Sequence, residues 1–467
     1  MKLLRKQSII IFSILALILV ACGGAADESS EEEEVATTEV TETLDSPAVT
    51  TASQVKTGVG ITEEPCPEVI SNIPTGADPT KGCIYLGMLN DYSGPYGAAG
   101  PALDIGQRAF WLWANSTGGI GDYSVAIKEG FDAQYNPQKH LEGYNSLKDE
   151  VAGFSMSLGT PQTQFILENL KEDNLVAVPM SWWSGWAYKD VDASTVIEFG
   201  TQYCADGMNA VDWADENLAT LTGGAVDMKT IGVIGYVTDY GLDFSFGIKQ
   251  AAEAAGIEVA WEYLAPPTEF DVTQAVGLLA TKPVDVYFLA TGLSVAPQIA
   301  GGAAQQGVTS AGMFLGTSYN DAFVAEGSAV KGLFESGLIY AMSFGVAPYE
   351  ADTVGHATMR ATLSQITDSA STFFVGGWAS QYNLKGVLEA ALKGGDLTRA
   401  GIVRAAANVT VTSDGMMVEK KLGSGLPDIG STFSIPDGSI GSGAKLLAKD
   451  YVGSTAKSYD WAAGPCS

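Results

Sequence analysis

Short apolar runs alternate along the chain with stretches in which apolar residues recur at helical spacing, which is the rhythm of alternating strands and helices. The runs that predict strands cover 84–89, 153–158, 175–178, 230–237, 258–263, 284–290, 313–315 and 338–341. The stretches that predict helices cover 103–114, 162–170, 242–255, 272–280 and 295–306. Because runs such as 231–234 and 286–289 are almost entirely apolar, we expect an α/β fold with parallel sheets covered by helices on both faces.

The size of the patterned region predicts two lobes. About 400 of the 467 residues follow position 64, which is more than one hydrophobic core accommodates. In open parallel sheets, ligands bind beyond the carboxyl ends of the strands. The loops that follow strands are therefore the candidate binding loops, and they cover 159–162, 179–186, 238–241, 291–294 and 316–321.

The N-terminus predicts export and a lipid anchor. Three basic residues precede an apolar stretch over 9–21, whose roughly 20 Å of helix is shorter than a hydrocarbon core of about 30 Å. The run Leu19-Val20-Ala21-Cys22 resembles a bacterial lipobox. The resemblance implies removal of residues 1–21 as a signal peptide and lipidation of Cys22, on the outer side of the cytoplasmic membrane. The alternative is an ordinary secretory signal in which Cys22 is incidental.

Residues 22–64 predict an acidic, disordered linker between this anchor and the folded body. From 23 to 64 the chain has no aromatic residue and carries eleven acidic residues against Lys56, a net charge of 1 − 11 = −10. The whole chain has a net charge of −29. This charge argues against nucleic acid and anionic lipid surfaces as partners, because both require basic patches.

Four cysteines remain after Cys22, and an even number in an oxidising compartment predicts two disulfides. They are Cys66, Cys83, Cys204 and Cys466. Three pairings are open, and we favour Cys66 with Cys83, and Cys204 with Cys466. A zinc site is not favoured because no Cys or His pair has finger-like spacing.

From about residue 82 to 407 the chain resembles the type I periplasmic solute-binding proteins, in the branched-chain amino-acid (Leu/Ile/Val)-binding family that serves ABC importers. The resemblance rests on the order and spacing of short segments rather than on one motif. These segments are Ser93-Gly94-Pro95-Tyr96-Gly97, Gly106, Ala109, Gly118-Gly119-Ile120, Phe131-Asp132, Pro137, Gly159-Thr160, Leu175-Val176-Ala177-Val178-Pro179, Ile231-Gly232-Val233-Ile234, Asp239-Tyr240-Gly241 and Asp285-Val286-Tyr287-Phe288.

The resemblance implies two doubly wound parallel-sheet lobes, joined by a three-crossover hinge, that close around a small ligand. We place lobe 1 at 65–202 plus 343–407, and lobe 2 at 203–342 plus 408–467. No cofactor or metal is implied, and we expect a monomer.

The family's ligand loops suggest which residues bind the ligand. Gly159 and Thr160 lie where backbone N–H groups at a helix start receive an anion, although Thr160 could simply cap the helix ahead of Pro161. Aromatic side chains near the loops could enclose an apolar ligand, or could pack in the core. The candidate ligand-binding residues are Tyr96, Gly159, Thr160, Ser181, Trp182, Trp183, Tyr240, Thr291, Ser318, Tyr319 and Trp378.

The chain departs from the family at one position. Amino-acid binders of the family place an acidic residue after the strand that here covers 313–315, whereas this chain has Gly316-Thr317-Ser318-Tyr319. We expect Asp321 inside the helix that follows, and Asp239, from another loop, is the candidate substitute. Because a desolvated ammonium group needs a charged partner or several acceptors, the ligand is either an amino acid, an amide, a urea-like compound or another carboxylate, including aromatic ones.

We predict solute capture followed by delivery to an ABC permease, with no enzyme activity. His140 and His356 fall in polar helical stretches and are interpreted as surface residues. The chain has no Gly-x-Ser-x-Gly elbow and no phosphate-binding loop. The alternatives are a ligand-sensing receptor component, a non-transport surface lipoprotein and a secreted enzyme.

Overall fold

A computed structural model describes residues 55–466 of the chain. The predicted signal peptide, Cys22 and most of the predicted linker lie outside these residues. Strand β1 nevertheless lies within the segment 22–64 that was predicted to be linker. Ile61 and Thr62 pair with Ile84 and Cys83, so the folded body begins earlier than expected.

The described residues contain short and long strands in the following order. They are β1 (Ile61–Thr62), β2 (Val69–Ile70), β3 (Ile73–Pro74), β4 (Gly82–Asn90), β5 (Tyr123–Ile127), β6 (Phe131–Asp132), β7 (Gly153–Leu158), β8 (Val176–Met180), β9 (Thr230–Tyr236), β10 (Glu258–Ala265), β11 (Val286–Ala290), β12 (Ala311–Phe314), β13 (Ile339–Ser343), β14 (Thr410–Val411), β15 (Lys420–Lys421), β16 (Ser431–Pro436) and β17 (Ala444–Tyr451).

Helices separate most of these strands. They are α1 (Gly100–Ser116), α2 (Pro137–Leu147), α3 (Thr160–Phe165), α4 (Leu167–Glu172), α5 (Tyr203–Leu221), α6 (Asp239–Ala255), α7 (Val272–Thr281), α8 (Ala296–Gln305), α9 (Lys331–Phe334), α10 (Val354–Leu363), α11 (Thr372–Lys393), α12 (Arg399–Ala406) and α13 (Ser454–Ser458). The helix predicted over 162–170 is two short helices, α3 and α4, because the backbone leaves helical geometry at Ile166.

The first sheet is built around β4, which pairs in parallel with β5, β6 and β7, while β8 continues the sheet beside β7. Among residues 55–466, only β1 joins it antiparallel. Helix α1 packs against α11, which the chain reaches only after it has completed most of the second sheet.

The second sheet has the order β10-β9-β11-β12-β13-β16-β17. Its first five strands are parallel, and the C-terminal strands β16 and β17 extend it antiparallel beside β13. Helices α5 and α6 pack against each other beside it. The expectation of an α/β fold with parallel sheets is therefore confirmed.

The chain passes between the two sheets three times, and the three crossovers lie side by side. The Thr201 N–H donates to the Phe344 carbonyl at 3.0 Å, and the Thr201 hydroxyl donates to the Gly430 carbonyl. The Gln202 N–H donates to the Asp428 carbonyl at 3.2 Å. These bonds join the segments that follow β8, β13 and β15.

Both favoured disulfides are present. Cys66 is bonded to Cys83 over a sequence separation of 17 residues, and Cys204 is bonded to Cys466 over 262 residues. The second bond attaches the C-terminus to the start of α5, close to the first crossover.

Candidate functional site: an aromatic cavity between the sheets

A cavity lies between the carboxyl ends of the two sheets, and segments from both line it. Gly159 and Thr160 follow β7, and Trp182 follows β8. Tyr240 and Thr317 approach from the loops after β9 and β12. The space open to water-sized molecules is about 100 Å³, so the arrangement is closed around a small volume.

Aromatic rings dominate the cavity wall. Trp182 stacks on Phe344 with ring centroids 3.5 Å apart and planes 8° apart. Tyr203 meets Tyr240 edge to face at 4.9 Å. The aromatic residues that line the cavity are Tyr96, Tyr135, Trp182, Phe199, Tyr203, Tyr240, Tyr319, Phe344 and Phe373. Such a wall suits an apolar or planar ligand.

A first group of hydroxyls lies at the ends of β7 and β8. The Thr160 and Ser181 hydroxyls are 2.7 Å apart and form a hydrogen bond, and the Trp186 indole N–H donates to the Ser181 oxygen at 3.1 Å. Gly159, not Thr160, is the N-cap of α3, so the alternative role of Thr160 as a cap is not observed. Its hydroxyl lies at the cavity instead.

A second hydroxyl group belongs to the other sheet. The Tyr240 hydroxyl is hydrogen-bonded to the Thr317 hydroxyl and lies 3.3 Å from the Thr291 carbonyl. The Ser318 hydroxyl accepts from the Thr291 N–H at 2.9 Å and donates to the Thr291 carbonyl at 2.9 Å. Burial raises the pKa of the Tyr240 phenol, which therefore stays neutral and can donate a hydrogen bond.

No Asp, Glu, Lys, Arg or His side chain lines this cavity in the described part of the chain. The acidic residues considered as ammonium partners have other contacts. Asp239 accepts from the Gln164 amide at 2.6 Å, and Asp321 accepts from the Ser371 hydroxyl at 3.2 Å. Asp321 lies in a short 3₁₀ turn rather than inside a longer helix, and burial raises its pKa to about 6.

The structure brings six of the eleven predicted ligand-binding residues to the cavity wall. They are Tyr96, Gly159, Thr160, Trp182, Tyr240 and Tyr319. Ser181, Thr291 and Ser318 lie just behind it, bonded to each other or to residues at the wall. The other two of the eleven, Trp183 and Trp378, lie elsewhere.

Trp378 and Trp183 lie away from the cavity. Trp378 is fully buried on α11 and packs edge to face on Phe110 at 5.2 Å, which makes it a core residue. Trp183 packs against Trp186 at 5.1 Å in a separate apolar cluster. The prediction that both side chains line the cleft was wrong, because proximity to a loop in sequence does not set the direction of a side chain.

Sequence reasoning missed several residues that line the cavity. Tyr203 begins helix α5, which the apolar pattern did not predict, and Phe344 lies in the second crossover. Tyr135, Phe199 and Phe373 also line the cavity. Their aromatic character is visible in the sequence, but only the tertiary structure shows that they face the site.

The two histidines are buried, so their interpretation as surface residues was wrong. The His140 Nε2 lies 2.8 Å from the Ser157 hydroxyl, and the His356 Nε2 lies 3.0 Å from the Ala347 carbonyl. Burial lowers the pKa of His140 to about 3 and that of His356 to about 4, so both are neutral. Neither lines the cavity.

The chain belongs to the periplasmic binding protein family, because the family model matches residues 83–426, about three quarters of the chain. The resemblance inferred from short segments is thus confirmed. Membership makes this an extracytoplasmic protein that binds a small solute. No curated protein sequence matches the chain.

Several solved structures share its fold. One is a fatty acid ABC transporter substrate-binding protein from Thermomonospora curvata, with 23% identity and a TM-score of 0.73 over 87% of this chain and 97% of that chain. Another is a branched-chain amino acid ABC transporter protein from Thermus thermophilus with bound valine, with 12% identity and a TM-score of 0.66 over 81% and 98%. A third is an R. palustris solute-binding protein in complex with benzoate, with 17% identity and a TM-score of 0.63 over 80% and 97%.

Between residues 55 and 466, no helix combines the length and apolarity needed to cross a membrane. Within the same residues, no three His, Cys, Asp or Glu side chains are grouped so that they could hold a metal ion.

Proposed function

We propose that this protein captures a carboxylate that has an apolar body and no ammonium group, and delivers it to an ABC permease. The observation that carries the proposal is the cavity wall, which among the described residues combines aromatic rings and hydroxyls with no Asp, Glu, Lys, Arg or His side chain. An α-amino acid would bury its ammonium group without a charged acceptor, which is costly. The ligands named for the related structures include carboxylates without an ammonium group, namely a fatty acid and benzoate, and also an α-amino acid, valine.

The hydroxyls supply the polar contacts that such a ligand requires. Thr160 and Ser181 on one side, and Tyr240 and Thr317 on the other, provide O–H groups that can turn toward an oxygen anion. Hydrogen bonds from several donors stabilise a buried carboxylate, and bonds to a charged acceptor are the stronger ones. The aromatic rings then cover the apolar body of the ligand.

Capture requires the two lobes to move about the crossovers. We infer that 65–202 with 343–427, and 203–342 with 428–466, act as the two bodies. The return to the second lobe predicted at 408 comes too early, because β14 and β15 precede the third crossover and β14 packs against α11. The Gln164 amide donates to Asp239 at 2.6 Å and the Ser184 N–H donates to Asp243 at 2.7 Å, so hydrogen bonds join the two bodies in this arrangement. A ligand that contacts both bodies in the cavity would stabilise the same arrangement, which the permease would then recognise.

We also propose that Cys22 carries a lipid anchor, and that the acidic segment before residue 55 spaces the folded body from the membrane. Such anchoring suits delivery to a permease in the same membrane. Mass spectrometry of the N-terminal peptide tests it, because a lipidated protein gives an acyl-modified Cys22 as its first residue. An unmodified cysteine within an uncleaved chain would contradict this part of the proposal.

Calorimetric titration of the purified protein with benzoate, octanoate, valine and leucine tests the ligand class. We expect saturable binding of benzoate or octanoate and none of valine or leucine. Trp182→Ala should weaken binding at least tenfold, because it removes the stacked ring, and Thr160→Ala should weaken it several-fold. Trp183→Phe is the matched control, since this neighbouring tryptophan does not line the cavity. Tighter binding of valine or leucine than of either carboxylate would refute the proposal.

A further inference from the structure

The C-terminal hairpin forms part of the cavity wall, although it lies beyond the residues that the family model matches. The match ends at residue 426, and the hairpin consists of β16, β17 and the connecting turn at 437–443. Ser434 and Ala444 of this hairpin line the cavity. Two of the side chains that line the cavity therefore come from residues beyond the family match.

Strand pairing and a hydrogen bond hold the hairpin against the cavity. Ser434 is paired with Ala341 of β13, which also lines the cavity. The Tyr319 hydroxyl donates to the Gly443 carbonyl, immediately before Ala444. Both wall residues of the hairpin are thus positioned by groups that themselves belong to the site.

The turn is also fixed from outside the second sheet. Glu350, which follows the second crossover, accepts a hydrogen bond from the Ser442 N–H at 2.9 Å and another from the Ser442 hydroxyl. Glu335 accepts from the Gly438 N–H at 2.7 Å. Because both ends of the turn are tied, the wall cannot retreat easily to admit a larger ligand.

The two wall residues differ in what they offer a ligand. Ser434 is 4% exposed and lines the cavity. Its hydroxyl can donate a hydrogen bond to, or accept one from, a polar group of a ligand held there. Ala444 is also 4% exposed and presents only a methyl group, so it leaves space that a larger side chain would fill.

We propose that Ser434 and Ala444 are specificity-determining residues. Ser434 forms a hydrogen bond with a second polar group on the ligand, away from its carboxylate, and Ala444 sets the size that the ligand can reach. This inference rests on the proposed function, and it narrows the ligand class to hydroxylated apolar carboxylates.

Titration with two matched pairs of probes tests the role of Ser434. The pairs are benzoate with 4-hydroxybenzoate, and octanoate with 8-hydroxyoctanoate. We expect the wild type to bind the hydroxylated member of at least one pair about two- to tenfold more tightly, as one added hydrogen bond allows. Ser434→Ala should abolish this preference. Ser439→Ala, on the exposed turn of the same hairpin, should keep the preference.

Ala444→Leu tests the size limit. We expect the octanoate affinity to fall at least tenfold, and more than the benzoate affinity. The melting temperature without ligand shows whether the variant folds, and Ala444→Val replaces it if it does not. If the wild type and Ser434→Ala each bind both members of every pair equally, this inference is overturned but the proposed function is not. A wild type that binds no carboxylate would overturn the proposed function, and this inference with it.

Discussion

Asp206 shows how a single buried side chain links protonation to stability. It lies on α5 with no exposed surface, and one carboxyl oxygen accepts from the Ser431 hydroxyl. The other oxygen has no hydrogen-bond partner in the described structure. Burial raises the pKa of Asp206 well above its usual range, and the bond from Ser431 opposes this only in part. The folded protein therefore keeps this carboxyl group protonated at a pH where the unfolded chain has ionised it.

We expect Asp206→Asn to stabilise the protein at neutral and alkaline pH. The folded-state pKa lies above the unfolded value of about 3.9, so the free energy of unfolding of the wild type falls as pH rises through the interval between them. Over this interval the wild type loses about 1.4 kcal/mol of unfolding free energy per pH unit. The uncharged amide of the variant does not titrate, so the variant does not undergo this loss. Urea unfolding at pH 5 and pH 8 measures this difference.

Asp215→Asn is the control for this prediction, because Asp215 is an exposed carboxylate on the same helix. Its effect on stability should be small at both pH values. An Asp206→Asn variant that gains no stability relative to the wild type between pH 5 and pH 8 would show that Asp206 is ionised in the folded protein.

The crossovers are the elements on which closure depends, and glycines allow their close approach. Gly345 has a φ of 72°, and a Cβ placed there would lie 2.6 Å from the Thr201 hydroxyl and 3.0 Å from the Gly430 carbonyl. Beside them, the buried Lys420 ammonium binds Glu198 at 2.9 Å and Asp428 at 3.3 Å. The three segments are thus joined by backbone contacts and a shared ion group.

Gly345→Ala should lower the free energy of unfolding by about 1–3 kcal/mol, because L-residues are strained at positive φ and the new methyl group meets the other crossovers. Ligand affinity should fall as well, since the closed arrangement includes these contacts. Gly277→Ala is the matched control. Gly277 lies inside α7, and apart from its two neighbours and the adjacent backbone of its own helix no heavy atom lies within 4 Å of the added methyl group, so the change should stabilise the protein by up to about 1 kcal/mol.

Thermal unfolding and calorimetric titration of the two variants measure these effects. Equal stability and affinity in both variants would show that the crossovers tolerate a side chain, and that closure does not depend on their close approach.

At the scale of the whole molecule, the two disulfides restrain the chain over very different lengths. Cys204 and Cys466 connect the first crossover with the C-terminus, and the Cys466 N–H donates to the Ser184 hydroxyl at 2.8 Å. Ser184 in turn donates to Asp243 on α6. The end of the chain is therefore tied to segments that belong to both sheets.

Removing the long-range disulfide should destabilise the protein more than removing the local one. The chain-entropy model predicts about 3 kcal/mol for the 17-residue separation and about 5.6 kcal/mol for the 262-residue separation. The melting temperatures of Cys204→Ser/Cys466→Ser and Cys66→Ser/Cys83→Ser provide the comparison. A larger drop in the second variant would contradict the expectation.

The spacing of apolar residues was sufficient to predict most of the parallel strands and the helices between them. The runs at 153–158 and 230–237, for example, became β7 and β9, because an apolar run between turn residues has few other stable conformations. The order of short glycine-containing segments was sufficient to identify the family. The cysteine count allowed three pairings, and the observed pairing is the one favoured.

The identity of the cavity wall depended on tertiary structure. Trp182 and Trp183 are adjacent in sequence, yet one stacks at the cavity and the other packs outside it. Tyr203, Phe344 and Ser434 come from three distant segments that meet only because the crossovers lie side by side. Local sequence carries the preferences of a strand or helix, whereas the direction of a side chain at a lobe interface is set by packing between segments far apart in the chain.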